Sequence, residues 1–321
     1  VGIVISGHEQ IKPQKDPYDT YAVLEFNRGK NFFNHYQFEA AIQNFKEAEA
    51  KLDDGELKDL AKFYIKLVNF YQKWDKFNDR IEIYNEKLDK IESFKLPSYF
   101  YKEIIQKCPN ELLSNDFDNF KEFINQLNNN LEFLRLKIRN NQKEAMKYYL
   151  PDLLNNAHRK IEEGFFDDAV ARLYRAIELI AQVSLNSHDL IDVEKFKNHK
   201  VFHINRKQFK TQTKFDPEIP KMIQNWNIKE YEDRDKTFKV PKDKSYKILE
   251  AFGEDLAKKY FADERLKNAV NKRNDSILAH GLNPMNKKDA EDLYNRVLYY
   301  SKFFWVDIEK YMKMAEFPKF K

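Results

Sequence analysis

Arg273 and His280 are the residues of this sequence whose types and spacing best suit chemistry. They stand in Asn-Lys-Arg-Asn-Asp-Ser-Ile-Leu-Ala-His-Gly-Leu-Asn-Pro, residues 271–284. Gly281 and Pro284 close this run, so the pattern predicts the end of a helix stopped by a left-handed glycine cap. The Arg-to-His spacing is nearly two helical turns. At about 100° per residue the two side chains share a face, but at about 1.5 Å per residue they lie roughly 10 Å apart along the axis. That is an awkward span for two groups acting on one phosphate within one chain. Two copies of the helix packed antiparallel would instead set each arginine beside the other copy's histidine, making a shared site at a two-fold interface.

The chemistry that suits this pair is RNA cleavage without a metal. A histidine titrates near pH 6.5, so it can trade a proton with a ribose 2′-hydroxyl or a leaving 5′-oxygen. A place at a helix C-terminus favours its protonated form. Arginine is always charged and forks onto phosphate oxygens, which matches the extra negative charge of a pentavalent transition state. Asn274 could orient a phosphate or the imidazole. The structural alternative is an Arg273 held in a salt bridge and a His280 that only decorates a helix end.

Arg273, Asn274 and His280 match the Arg-Asn-(five residues)-His motif of HEPN-domain ribonucleases. Together with Ser245-Tyr246-Lys247-Ile248-Leu249, Phe252-Gly253-Glu254-Asp255 and Arg172-Leu173-Tyr174-Arg175-Ala176-Ile177-Glu178-Leu179, the motif makes the chain resemble the CRISPR-associated CARF-HEPN proteins, ancillary nucleases of type III CRISPR systems. The resemblance is good from about Pro151 onward and looser before it. It implies a homodimer that cleaves single-stranded RNA without metal, leaves a 2′,3′-cyclic phosphate, and is activated by cyclic oligoadenylate through a CARF domain. Two other readings stay open: a non-catalytic dimerisation or binding scaffold, and a toxin held by a cognate antitoxin.

Which elements would position these residues? A length of 321 residues suggests two domains, and a composition 42% hydrophobic and 34% charged is that of a globular protein. Phe and Tyr number 27 and 18 against only 7 Gly, which favours aromatic-rich helices over a many-turned β protein. The formal charge of +4 is a small remainder of 56 basic and 52 acidic side chains. Nucleic-acid binding must therefore come from a local patch. The single cysteine, Cys108, excludes an intrachain disulfide and fits a reducing cytoplasm. No apolar run is long enough to span a membrane, and no signal peptide is visible.

The expected fold class is all-α, with tetratricopeptide-like helical hairpins over 16–148 and a HEPN helical bundle over 149–321. Residues 1–15 read as a remnant strand or linker, with Val1 to Ser6 the last strand of an N-terminal domain that the resemblance makes CARF. Gly29, Phe32, Phe38, Ala41, Phe45 and Ala48 fit the small and aromatic positions of the first hairpin. Tyr64, Tyr71, Phe77 and Tyr84 repeat the idea, with a turn at Trp74-Asp75. In the second half an antiparallel helix pair, Asp152 to Glu163 and Asp167 to Leu185, joins at Gly164.

An irregular insertion follows at about 186–245, with Val201 to Ile204 as a possible strand. Lys207, Lys210, Lys214 and Trp226 there offer phosphate contacts and a stacking face for single-stranded RNA, as Arg172 and Arg175 do on the paired helices. His199 and His203 have a spacing a metal could use, but no thiolate or carboxylate completes a site, so no metal or other cofactor is expected. Lys287 to Met314 reads as one long amphipathic helix supporting the motif, with Leu293, Val297, Tyr300, Phe304, Ile308 and Tyr311 inward.

Overall fold

A computed structural model describes residues 17–78, 80–85, 90–108, 117–138, 142–212, 237–274 and 281–321. Helices dominate the described residues, as an all-α class requires. The chain divides into two compact units: Val1–Asn128 with Phe317–Lys321, and Asn129–Glu316. The expected strand at Val1 to Ser6 lies outside the described residues.

The first unit opens with a helical hairpin, α1 (Pro17–Asn34) and α2 (Phe38–Lys51), followed by α3 (Glu56–Asp75). Ala41, Phe45 and Ala48 recur at three- and four-residue spacing on α2 and are fully buried. Gly29 stands where α1 meets α2. A Cβ at Gly29 would lie 2.7 Å from the Phe45 ring, so the helices approach this closely only because the residue has none.

The helical hairpins do not continue through Tyr84. Arg80–Asn85 (β1) and Lys90–Lys95 (β2) pair as an antiparallel hairpin, Arg80 opposite Lys95 and Asn85 opposite Lys90. Here the alternation Ile81-Glu82-Ile83, with β-branched residues two apart, overrides the wider aromatic spacing. Trp74 and Asp75 are the last residues of α3, and Phe77 just beyond them takes a positive φ of 54°. After β2 comes α4 (Leu96–Tyr99), with Pro97 in its first turn, running into a π-helical segment, Phe100–Ile105. The last five residues close this unit: Phe317 packs on Tyr71 at 4.7 Å between ring centroids, and Phe320 on Phe33 and Tyr64 at 5.1 and 5.0 Å. Each such buried ring contributes on the order of 1.5–3 kcal/mol.

The division between units falls within α5 (Phe117–Lys137), ahead of the 148/149 boundary expected from the sequence. The reason is packing. Past Asn128, Leu131, Phe133 and Leu134 are buried, Asn130 donates to the carbonyls of Met314 and Glu316, and Lys137 forms a buried ion pair with Asp152.

The second unit then runs α6 (Gln142–Ala145), a 3-10 turn at Met146–Tyr148, α7 (Tyr149–Glu162) and α8 (Phe166–Ser187). Gly164, at φ 82°, makes the tight joint between α7 and α8. The insertion holds α9 (Val193–His199), a two-stranded sheet of β3 (His203–Asn205) and β4 (Thr237–Lys239), and α10 (Arg206–Gln212). There follow α11 (Lys242–Ala251), α12 (Asp255–Ala262), α13 (Glu264–Asn274), α14 (Lys287–Phe304) and α15 (Ile308–Met314). Helices α7, α11, α13 and α14 all pack on α8. Leu173, Ile177, Ile180, Leu249 and Val297 form the fully buried core between them.

The expected single helix over Lys287 to Met314 is broken. It leaves helical conformation at Trp305 and resumes at Ile308, with Val306 87% exposed between. Phe304 and Ile308 keep a four-residue spacing across the break, so apolar periodicity alone could not reveal it.

Candidate functional site

Helix α13 carries the motif arginine, and its start is built by Asp263. The Asp263 backbone carbonyl accepts the first helical bond, from Lys267, and its carboxylate accepts the Leu266 N–H at 3.0 Å, the geometry of an N-cap. The same carboxylate receives the Tyr300 hydroxyl at 2.8 Å and the Arg296 guanidinium, both from α14. Burial opposes ionisation of Asp263, but these three donors together hold its carboxyl below the usual carboxylate range. One side chain thus both starts the motif helix and ties it to α14.

Further along α13, the guanidinium of the half-buried Arg273 lies over the ring of Tyr174, on α8, at 4.5 Å from the centroid. The Lys242 ammonium, from the first residue of α11, lies 4.9 Å from the same centroid and 5.4 Å from that of Tyr260. Lys242 is buried and forms an ion pair with Asp243 at 3.3 Å. The Tyr260 hydroxyl donates to Asp243 at 2.5 Å, and its ring stacks on Tyr246 at 3.7 Å with an interplanar angle of 4°. Tyr246 in turn donates to the Ile177 carbonyl on α8 at 3.0 Å. The motif arginine is therefore anchored, through one aromatic ring, to a network fixed on the core helix.

Two cations around one ring give this site its electrostatics. Burial pushes the Lys242 ammonium below its ordinary pKa, Arg273 adds to that push, and Asp243 and Glu178 oppose it. Burial raises the Tyr174 hydroxyl, with Glu178 and Asp243 assisting and Arg273 opposing. Arg273 and Lys242 thus both lie against the Tyr174 ring, with Asp243 and Glu178 as the carboxylates that counter the Lys242 charge.

The other expected site residues lie as follows. Asn274 is the last described residue of α13, its side chain outside the described residues, and His280 also lies outside them. Arg172 donates to the Asn156 carboxamide and to Asp168, through its carbonyl at 2.9 Å and its carboxylate at 2.8 Å. Arg175 donates to Glu178 at 3.0 Å and Gln182 at 2.8 Å, with its guanidinium over Phe202. Both α8 arginines are thus engaged within the chain. Lys207 is exposed on α10, where its backbone N–H donates to the Asn205 side chain; the Lys210 side chain, Lys214 and Trp226 lie outside the described residues. His203 is buried and shares a 3.1 Å hydrogen bond with the Thr237 hydroxyl between β3 and β4.

Sequence reasoning missed Tyr174, Lys242, Tyr260 and Asp263. For Asp263 a signal existed: Asp before Glu-Arg-Leu is a helix-start pattern. For the other three no local signal exists, because α8, α11 and α12 bring them together only in the folded unit.

An antiparallel helix pair packed against a capped helix that carries Arg-Asn is the arrangement that the HEPN resemblance implies. Comparison with protein families gives the same class: the sequence profile of the Csm6 HEPN domain matches residues 138–304, more than half of the 321. The chain belongs to the Csm6 HEPN domain family, and is a CRISPR-associated HEPN nuclease. No curated protein sequence matches it. Among the described residues no helix is long and apolar enough to cross a membrane.

Proposed function

We propose that the chain is a metal-independent endoribonuclease that cuts single-stranded RNA at a site shared between two copies. The observation that carries this reading is the Arg273 guanidinium of the motif helix, seated on the Tyr174 ring that the buried Lys242 also approaches. Such a cationic site suits a phosphate in a strained, more highly charged state. In the reaction the ribose 2′-oxygen bonds to the adjacent phosphorus while the bond to the 5′-oxygen breaks. The 2′-hydroxyl loses a proton and the 5′-oxygen gains one, leaving a 2′,3′-cyclic phosphate and a 5′-hydroxyl. Arg273 stabilises the phosphorane charge, His280 moves protons, and Asn274 positions the two. Regulation follows from the family resemblance: cyclic oligoadenylate, bound by a CARF domain, controls cleavage in antiviral defence.

The test is cleavage of labelled single-stranded RNA by wild type, Arg273→Ala and His280→Ala. Both variants should lose cleavage while folding and dimerising normally. Equal trace cutting by all three would favour a binding scaffold. Activity that vanishes with EDTA and returns with Mg²⁺ would overturn the metal-free mechanism.

A further inference from the structure

The motif helix has a second polar face. Arg265, Asn268 and Lys272 recur at three- and four-residue spacing, so they line one side of α13. They form one wall of a cavity of about 550 Å³, which Asp292 and Asn295 of α14 line from the other side, with the buried Met285 between. That volume lies within the roughly 300–1,000 Å³ of ligand pockets.

The chemistry of the walls is specific. Lys272 is paired with Asp289 at 2.6 Å. Among the described residues Arg265 has no ion pair, and Asn268 and Asn295 have no side-chain hydrogen bond, although all three are exposed to the cavity. A guanidinium forks onto phosphate oxygens, and a carboxamide offers a donor and an acceptor to one base edge. Unstacked bases of single-stranded RNA are read through such edges. The Asp292 carboxylate adds an acceptor for an exocyclic amine.

Placement matches the reaction site. Arg265 precedes Arg273 by about 12 Å along the axis, and the cavity face is turned roughly a quarter of the helix circumference from Arg273. A strand whose scissile phosphate meets Arg273 can pass directly onto this face.

We propose that the cavity between α13 and α14 seats a nucleotide flanking the scissile phosphate, with Arg265 on its backbone and Asn268 and Asn295 on its base edge. This rests on the RNA-cleaving reading of Arg273 and adds the place where base identity is read.

The test compares wild type, Arg265→Ala and the double variant Asn268→Ala/Asn295→Ala on single-stranded RNAs that differ in one base beside a unique cut. Binding of 2′-O-methyl oligonucleotides of the same sequences, which carry no nucleophile, is followed by fluorescence anisotropy. Wild type should prefer one base at one flanking position. The double variant should flatten that preference by about tenfold, the discrimination a good base-edge contact provides. Arg265→Ala should weaken all sequences about equally and keep the preference.

A flat wild-type profile, or unchanged profiles and affinities in the variants, overturns the proposal. If no Arg273-dependent cutting occurs, the nuclease reading fails by itself; a base preference in binding, lost in the double variant, would still uphold the cavity.

Discussion

Replacing Tyr174 tests whether the ring, rather than the arginine alone, makes the site work. The Arg273 guanidinium lies 4.5 Å from the ring centroid and is half-buried. A cation over an aromatic face is worth about 0.5–1 kcal/mol when exposed and about 2 kcal/mol when desolvated, so an intermediate case loses roughly 1–1.5 kcal/mol with the ring. If that energy orients the guanidinium for the transition state, cleavage by Tyr174→Leu should slow about tenfold, since each 1.36 kcal/mol is tenfold in rate. The hydroxyl has no hydrogen-bond partner among the described residues, so Tyr174→Phe should cut at nearly the wild-type rate. Single-turnover cleavage at saturating RNA, with KM measured separately, isolates the effect to the chemical step; thermal unfolding checks that Tyr174→Leu stays folded. The reasoning is refuted if Tyr174→Leu matches wild type, if its loss is confined to KM, or if Tyr174→Phe is as slow as Tyr174→Leu.

Two further perturbations separate catalysis from stability. Lys242→Met keeps an unbranched apolar stem in the buried position and removes the charge. Because burial lowers the folded Lys242 pKa below its ordinary 10.5, the unfolded chain binds more protons between the two values, and wild-type stability rises with pH through that window. The variant should lack that rise and unfold within about 1 kcal/mol of wild type at neutral pH, yet cut RNA about tenfold more slowly, about 1.4 kcal/mol of transition-state stabilisation; denaturant titrations at several pH values and a cleavage assay check both halves. Asp263→Ala removes the cap of α13 and leaves the Tyr300 hydroxyl only the Lys259 carbonyl, which together should cost about 1–2 kcal/mol at neutral pH. The folded Asp263 pKa is depressed, so its contribution is present above the ordinary aspartate value of about 3.9 and fades as pH falls through the folded value. The gap between wild type and variant should accordingly narrow in acid, which denaturation at matched pH values would detect.

What could be read from the sequence was local. The Gly164 joint, the small residues of the first hairpin and the Arg-Asn motif each depend on residue type at short spacing, and short spacing survives in a sequence. At the β-hairpin of Arg80–Lys95, aromatic residues at Tyr71, Phe77 and Tyr84 mimic a helix face, while the deciding alternation spans only three residues, Ile81 to Ile83. The helix break at Trp305 was invisible because the four-residue spacing of Phe304 and Ile308 bridges it. The neighbours of Arg273 were out of reach for a different reason. Tyr174 and Lys242 belong to α8 and α11, far from Arg273 in the chain, and only packing on one core helix makes them meet.

That convergence bears on function. A buried lysine beside an arginine lowers stability in the resting protein, because desolvation and like-charge repulsion both penalise the ammonium. Asp243, through its 3.3 Å ion pair, and Glu178 offset part of that penalty. The arrangement becomes favourable once an anion lies against both cations, since its charge offsets the repulsion between them. By linkage, that anion must also raise the Lys242 pKa by the same free energy with which Lys242 favours the anion.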